Sequence, residues 1–107
     1  MTTERRKHKR SAIRLDVELT LPDGGKIKGK THDLGIGGLY IDEIDGRSPP
    51  VGAPVTVTFL SIPKLQGTYA IKAKVQRLTD NGIVMTFIEF GLNDLRLIDA
   101  IFLSVPE

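Results

Sequence analysis

Cysteine is absent from the 107 residues, which removes disulfide staples, thiolate metal sites and cysteine nucleophiles in one step. Imidazole is nearly as scarce. Only His8 and His32 supply it, so a histidine-built metal site has almost nothing to draw on, and no metal is expected. No apolar run approaches the ~20 residues of a membrane-crossing helix, and no apolar stretch follows the N-terminal charges as it would in a signal peptide. The expectation is a cytoplasmic protein without membrane contact. Aromatic side chains are few, namely Tyr40, Phe59, Tyr69, Phe87, Phe90 and Phe102. Most of them alternate into the expected core and do not form a platform for stacked bases, which argues against a small nucleic-acid-binding barrel. No serine, threonine or lysine sits in a recognisable nucleophile context, so no enzyme is read here.

What is present suits one globular unit. Apolar residues make up 40% of the chain and charged residues 26%, ordinary values for a domain with a packed core. A fold of this size buries roughly 65% of its unfolded surface, enough for one core. The net charge of +2 conceals an asymmetry. Residues 1–10 hold Arg5, Arg6, Lys7, Lys9 and Arg10 against Glu4, while the other 97 residues hold ten bases and twelve acids. A segment at +4 ahead of a body at −2 points to an anionic partner for the segment. We read residues 1–12 as a flexible basic arm and 13–107 as a single domain.

The body reads as strands. Ile13, Leu15, Val17, Leu19 and Leu21 alternate with polar residues, the pattern of a half-buried strand. Pro22-Asp23-Gly24-Gly25 is turn chemistry, leading to a second strand around Lys26 to His32 with Lys26, Lys28 and Lys30 on its wet face. A glycine-rich turn at Asp33 to Gly38 precedes a short strand, Leu39 to Asp42. Glu43 to Pro54 carries acids, glycine and prolines that cannot continue a central ladder. Its carboxylates, with Asp42, read as a solvated turn and not as a catalytic pair. Strands follow at Val55 to Phe59 and Tyr69 to Gln76. Asp80-Asn81-Gly82 is a further turn signal, and Ile83 to Phe90 is a last strand, apolar on nearly both faces. Asn93 is placed to cap a helix over about 93–104, with Leu95, Ile98, Ile101, Phe102 and Val105 on one stripe. Six strands joined mostly by turns, then one amphipathic helix, predict a mainly β fold: a six-stranded antiparallel β-barrel with a C-terminal α-helix. The helix is expected to lid an open barrel end or to cover an edge strand.

Two separated segments carry the functional signal. Arg6 and Arg10 have RxxxR spacing before the first strand, and Asp33-Leu34-Gly35-Ile36-Gly37-Gly38 follows some 23 residues later. This pairing resembles the PilZ domain family, whose signature is RxxxR ahead of the first strand and [D/N]xSxxG between the second and third. Arg6, Arg10, Asp33 and Gly38 match, whereas Gly35 stands where the family has serine. The likeness continues through the alternating strand after the arm, the Gly37-Gly38-Leu39 entry to the third strand, and the apolar closing strand with Phe87.

The resemblance implies a bacterial second-messenger receptor that binds cyclic di-GMP and passes the signal to a downstream protein. The residues implied for binding are Arg5, Arg6, Arg10, Asp33, Gly35, Gly37 and Gly38. Arg5, just before the first motif arginine, bears on whether one ligand or an intercalated pair is bound, and an arginine there looks like the pair-binding type. The residue types suit such a ligand on chemical grounds. A guanidinium fork matches a phosphate or the guanine O6/N7 edge, and its face stacks on a purine. Asp33 accepts from the guanine N1 and N2 donors, and a glycine-rich turn allows backbone N–H groups close to an oxyanion. Gly35 keeps a second reading open, that of a degenerate domain acting as a protein adaptor without ligand.

Overall fold

The computed structural model describes residues 10–104. Among them are seven strands, β1 (Arg10–Ser11), β2 (Asp16–Thr20), β3 (Lys26–Gly35), β4 (Gly38–Asp42), β5 (Pro54–Phe59), β6 (Tyr69–Leu78) and β7 (Gly82–Phe87), followed by the helix α1 (Leu92–Ser104). The order around the sheet is β1-β3-β2-β5-β6-β7-β4, and β3 also pairs with β4. That last pairing joins the ends, so β2 to β7 form a closed, antiparallel six-stranded barrel. The seam is visible at Lys30, which is opposite Asp16 on β2 and opposite Asp42 on β4.

Alternation builds the core as the sequence predicts. Val17, Leu19, Val57, Phe59, Ile71, Val75, Leu39, Ile41, Ile83 and Met85 are buried from five walls of the barrel. Each such side chain contributes roughly 1.5–3 kcal/mol by leaving water. Ile98 and Ile101 of α1 join the same cluster. A closed wall of hydrogen-bonded strands is entered only through an end, so the helix lids the barrel. Its start differs from the expectation. The Gly91 N–H donates to Asp94 Oδ2 at 2.8 Å and the Gly91 carbonyl accepts from Leu95 N at 3.1 Å. Gly91 is therefore the cap, and the third helical residue reaches back to it. Asn93 lies inside the first turn.

Three other boundaries move. The last strand stops at Phe87, and Glu89 takes φ 52° on the way to the helix. β3 runs through Asp33 and Leu34 to Gly35, so the reversal before β4 occupies only Ile36 and Gly37. The first expected strand, Ile13 to Leu21, is shortened. Ile13 and Leu15 are buried, but within it the ladder holds only over β2, and the two-residue β1 lies ahead of it, at the end of the expected arm. The pairings Ser11–Leu34 and Asp16–Lys30 belong to registers one residue apart, so the chain between them cannot keep the ladder. Thr31 bridges the gap: its fully buried hydroxyl accepts from Leu15 N at 2.7 Å and donates to the Ile13 carbonyl, while its own N–H donates to the Leu15 carbonyl at 2.9 Å.

Removing that hydroxyl leaves two buried backbone groups without a side-chain partner. Thr31→Val should lower unfolding free energy by about 2 kcal/mol. Thr31→Ser, which loses only a methyl, should cost about 0.8 kcal/mol. Urea unfolding of the three proteins checks the order.

Candidate ligand-binding site

The site is best built outward from β3. Counting by twos from Ile27, Gly29 and Thr31, all facing the core, Asp33 would face inward as well. It does not, because the register with β4 shifts between Thr31 and Asp33. The extra residue, His32, makes a β-bulge that puts two successive side chains on one side of the strand. His32 is exposed and Asp33 is on the outer wall with its side chain 29% exposed. His32 Nδ1 is 3.8 Å from Asp33 Oδ2, and the imidazole meets Tyr40 edge-on at 5.3 Å between centroids.

Asp33 heads a row that crosses four strands. It pairs with Tyr40 on β4, Tyr40 pairs with Val84 on β7, and Val84 pairs with Arg77 on β6. These four residues and Thr79 line a surface depression of about 460 Å³. The Tyr40 hydroxyl shares a 2.9 Å hydrogen bond with Thr79 Oγ1, which also accepts from Gly82 N at 2.9 Å and so ties the tyrosine to the β6–β7 turn.

The described end of the arm pairs with β3. In β1, Arg10 is directly opposite Gly35 and Ser11 opposite Leu34, so the Arg10 backbone stands one strand spacing from the motif glycine. Arg5 and Arg6 lie outside the described residues. Gly35 is buried at the end of β3. Gly37 and Gly38 serve the barrel itself: the Gly37 carbonyl accepts from Phe87 N at 3.0 Å, and a Cβ added to Gly38 would stand 2.1 Å from the Met85 carbonyl oxygen. Close approach of β4 to β7 therefore requires glycine at 38. The position thus has a packing reason for glycine that is independent of any bound oxyanion.

Tyr40 is an aromatic that faces the outer wall. The acids at and after the end of β4 lie at the surface, as expected, and also have specific partners. Arg14 forks onto Asp42 at 3.1 and 3.3 Å and reaches Glu43 at 2.6 Å, while Asp45 Oδ1 accepts from Lys28 N at 2.6 Å. The hydrogen bond with Asp42 raises the Arg14 guanidinium above its already high ordinary value, and the Asp16 carboxylate 2.7 Å away does the same for Lys30. Among the described residues, no group of three or more His, Asp or Glu is placed to hold a metal ion. No helix there is long and apolar enough to cross a membrane.

A family model described as the PilZ domain matches residues 4–104, nearly the whole chain. The chain belongs to the PilZ domain family. PilZ domains are regulatory receptor domains, and no catalytic family is indicated. Among curated proteins, a putative cellulose synthase 2 of Komagataeibacter xylinus is 29% identical over 106 residues, covering 87% of this chain and 7% of that protein. The chain thus spans a small fraction of that relative's length. Among solved structures, the PilZ domain of CeSA from a cellulose-synthesizing bacterium superposes with TM-score 0.73 at 18% identity, covering 88% of this chain and 98% of that one. The PilZ domain of YcgR from Escherichia coli, solved with c-di-GMP, gives TM-score 0.75 at 14% identity, covering 94% and 92%. At these identities the two structures share this chain's fold.

The packing reading of Gly38 separates from a ligand-contact reading in the absence of any ligand. Gly38→Ala should cost about 3 kcal/mol through overpacking, and for a domain of this size that lowers Tm by about 12 °C or more. Thermal unfolding of the unliganded protein measures it.

Proposed function

We propose that the chain is a cyclic di-GMP receptor domain, acting in the cytoplasm without catalysis, which reports occupancy to a partner protein through closure of its basic arm. The observation that carries this reading is the register of Arg10 opposite Gly35, beside a bulge that turns Asp33 outward. In this reading the arm's guanidiniums meet a carboxylate on the wall, and a guanine dinucleotide supplies both counterparts: phosphates for the forks, and N1 and N2 donors for Asp33. Arg5 adds a third cation, which favours an intercalated pair of ligands over one.

The energetics favour a switch. Ordering five or six arm residues costs about 1–2 kcal/mol each. Four or five hydrogen bonds to charged groups, at roughly 1.5–3 kcal/mol apiece, together with stacking offset this cost, and micromolar affinity, about 8 kcal/mol, is reached at the favourable end of that range. Gly35 favours the second reading, a PilZ adaptor that binds proteins without the dinucleotide. Without the serine hydroxyl the site loses one donor, a deficit of about 1 kcal/mol. A general nucleic-acid contact is disfavoured, because Phe59 and Phe87 are buried and the outer wall at Asp33 offers Tyr40 as its one aromatic lining residue.

Titration calorimetry with cyclic di-GMP tests the assignment. Wild type should bind in the micromolar range, Arg6→Ala and Arg10→Ala should show no measurable heat, and Gly35→Ser should bind about fivefold tighter. The wild-type stoichiometry distinguishes one ligand from two. Absence of binding by the wild-type protein would leave the adaptor.

A further inference from the structure

The barrel has a second bulge, and it matches the first. Counting by twos from Ile71, Ala73 and Val75, all buried, Arg77 would face the core. The register with β7 shifts between Val75 and Arg77, with Gln76 as the extra residue. Arg77 is consequently exposed and lines the same depression as Asp33. Two irregularities, on strands separated by β4 and β7, thus each turn one charged residue onto opposite ends of one row. Bulges re-aim side chains, and here they set a carboxylate and a guanidinium facing each other across a floor of Tyr40 and Val84.

We propose that Arg77 selects guanine: its fork reads the O6 and N7 acceptors of a base that lies on this floor and whose N1 and N2 donors are held by Asp33. This rests on the reading of the wall as a cyclic di-GMP site and assigns that site a residue outside its two motifs. The row spans three strand spacings, about 14 Å between its terminal backbones, and the residues at its two ends line the one depression between them. Guanine alone among the bases offers donors on one edge and paired acceptors on the adjacent one. Adenine places an amino donor where guanine has O6, against a guanidinium that only donates. Arg14, Lys26, Lys30 and Lys72 are engaged in ion pairs. Among the described residues Arg77 is in no such pair, and it lines the depression.

The test titrates wild type, Arg77→Ala, Arg77→Lys and Arg10→Ala with cyclic di-GMP, its 7-deaza analogue, which lacks the N7 acceptor, and cyclic di-AMP. Arg77→Ala should weaken cyclic di-GMP binding about tenfold, the discrimination of one bidentate contact, with thermal stability unchanged. Wild type should bind the 7-deaza analogue severalfold more weakly than cyclic di-GMP, whereas Arg77→Ala should bind the two alike. Arg77→Lys should recover part of the affinity without the N7 sensitivity. Unchanged affinity in Arg77→Ala, or a loss that leaves the N7 sensitivity intact, overturns the assignment while Arg10→Ala still reports on the site. Absence of cyclic di-GMP binding by wild type overturns both readings together.

Discussion

On a closed barrel a side chain has two choices, core or water, and the backbone period of two decides between them. A carboxylate or guanidinium assigned to the core would have to be neutralised or paired there at a cost of several kcal/mol. Asp33 and Arg77 both fall on core positions by simple counting, and each is turned out by one inserted residue, His32 or Gln76. The whole character of the outer wall depends on these two insertions. Without them the depression would be lined by uncharged residues, and the barrel interior would hold an unpaired ion at each of two strands.

The attachment of the arm rests on a comparable irregularity. β1 and β2 run along the same edge of β3 in registers one residue apart, and the mismatch is absorbed between Ser11 and Asp16. Thr31 satisfies the backbone there from below, while Arg14 is drawn over the surface to Asp42 and Glu43. Lys30 stands beside this break, at the seam where β3 has β2 on one edge and β4 on the other. The strand that closes the barrel is thus the one that carries Asp33 and receives Arg10.

Much of the fold was legible in the sequence because period-two and turn signals are local. The hairpin at Pro22 to Gly25 closes with the Leu21 N–H on the Gly25 carbonyl at 2.8 Å, and the six long strands and the helix lie within a few residues of their expected bounds. What escaped was set by neighbours. No local signal marks Gln76 or His32 as inserted, since a bulge is a relation between two strands, so Arg77 was passed over. Gly91 as helix cap depends on Asp94 folding back to it. Tyr40 is a different case: Leu39 and Ile41 are both buried, and alternation alone places the tyrosine between them outside. Glycine 38 was legible as a requirement but not as a packing requirement, because the carbonyl it avoids belongs to β7.

Closure of the sheet has a consequence for how this unit travels in evolution. An open sheet exposes a row of unpaired amides that can recruit a strand from any chain tethered nearby, at the high local concentration that tethering imposes. Here the ladder returns on itself from β4 to β3, so a unit of this kind can be spliced beside large foreign domains with little risk of exchanging strands with them. That is the situation of the matching segment in the cellulose synthase relative, which occupies only 7% of a much longer polypeptide.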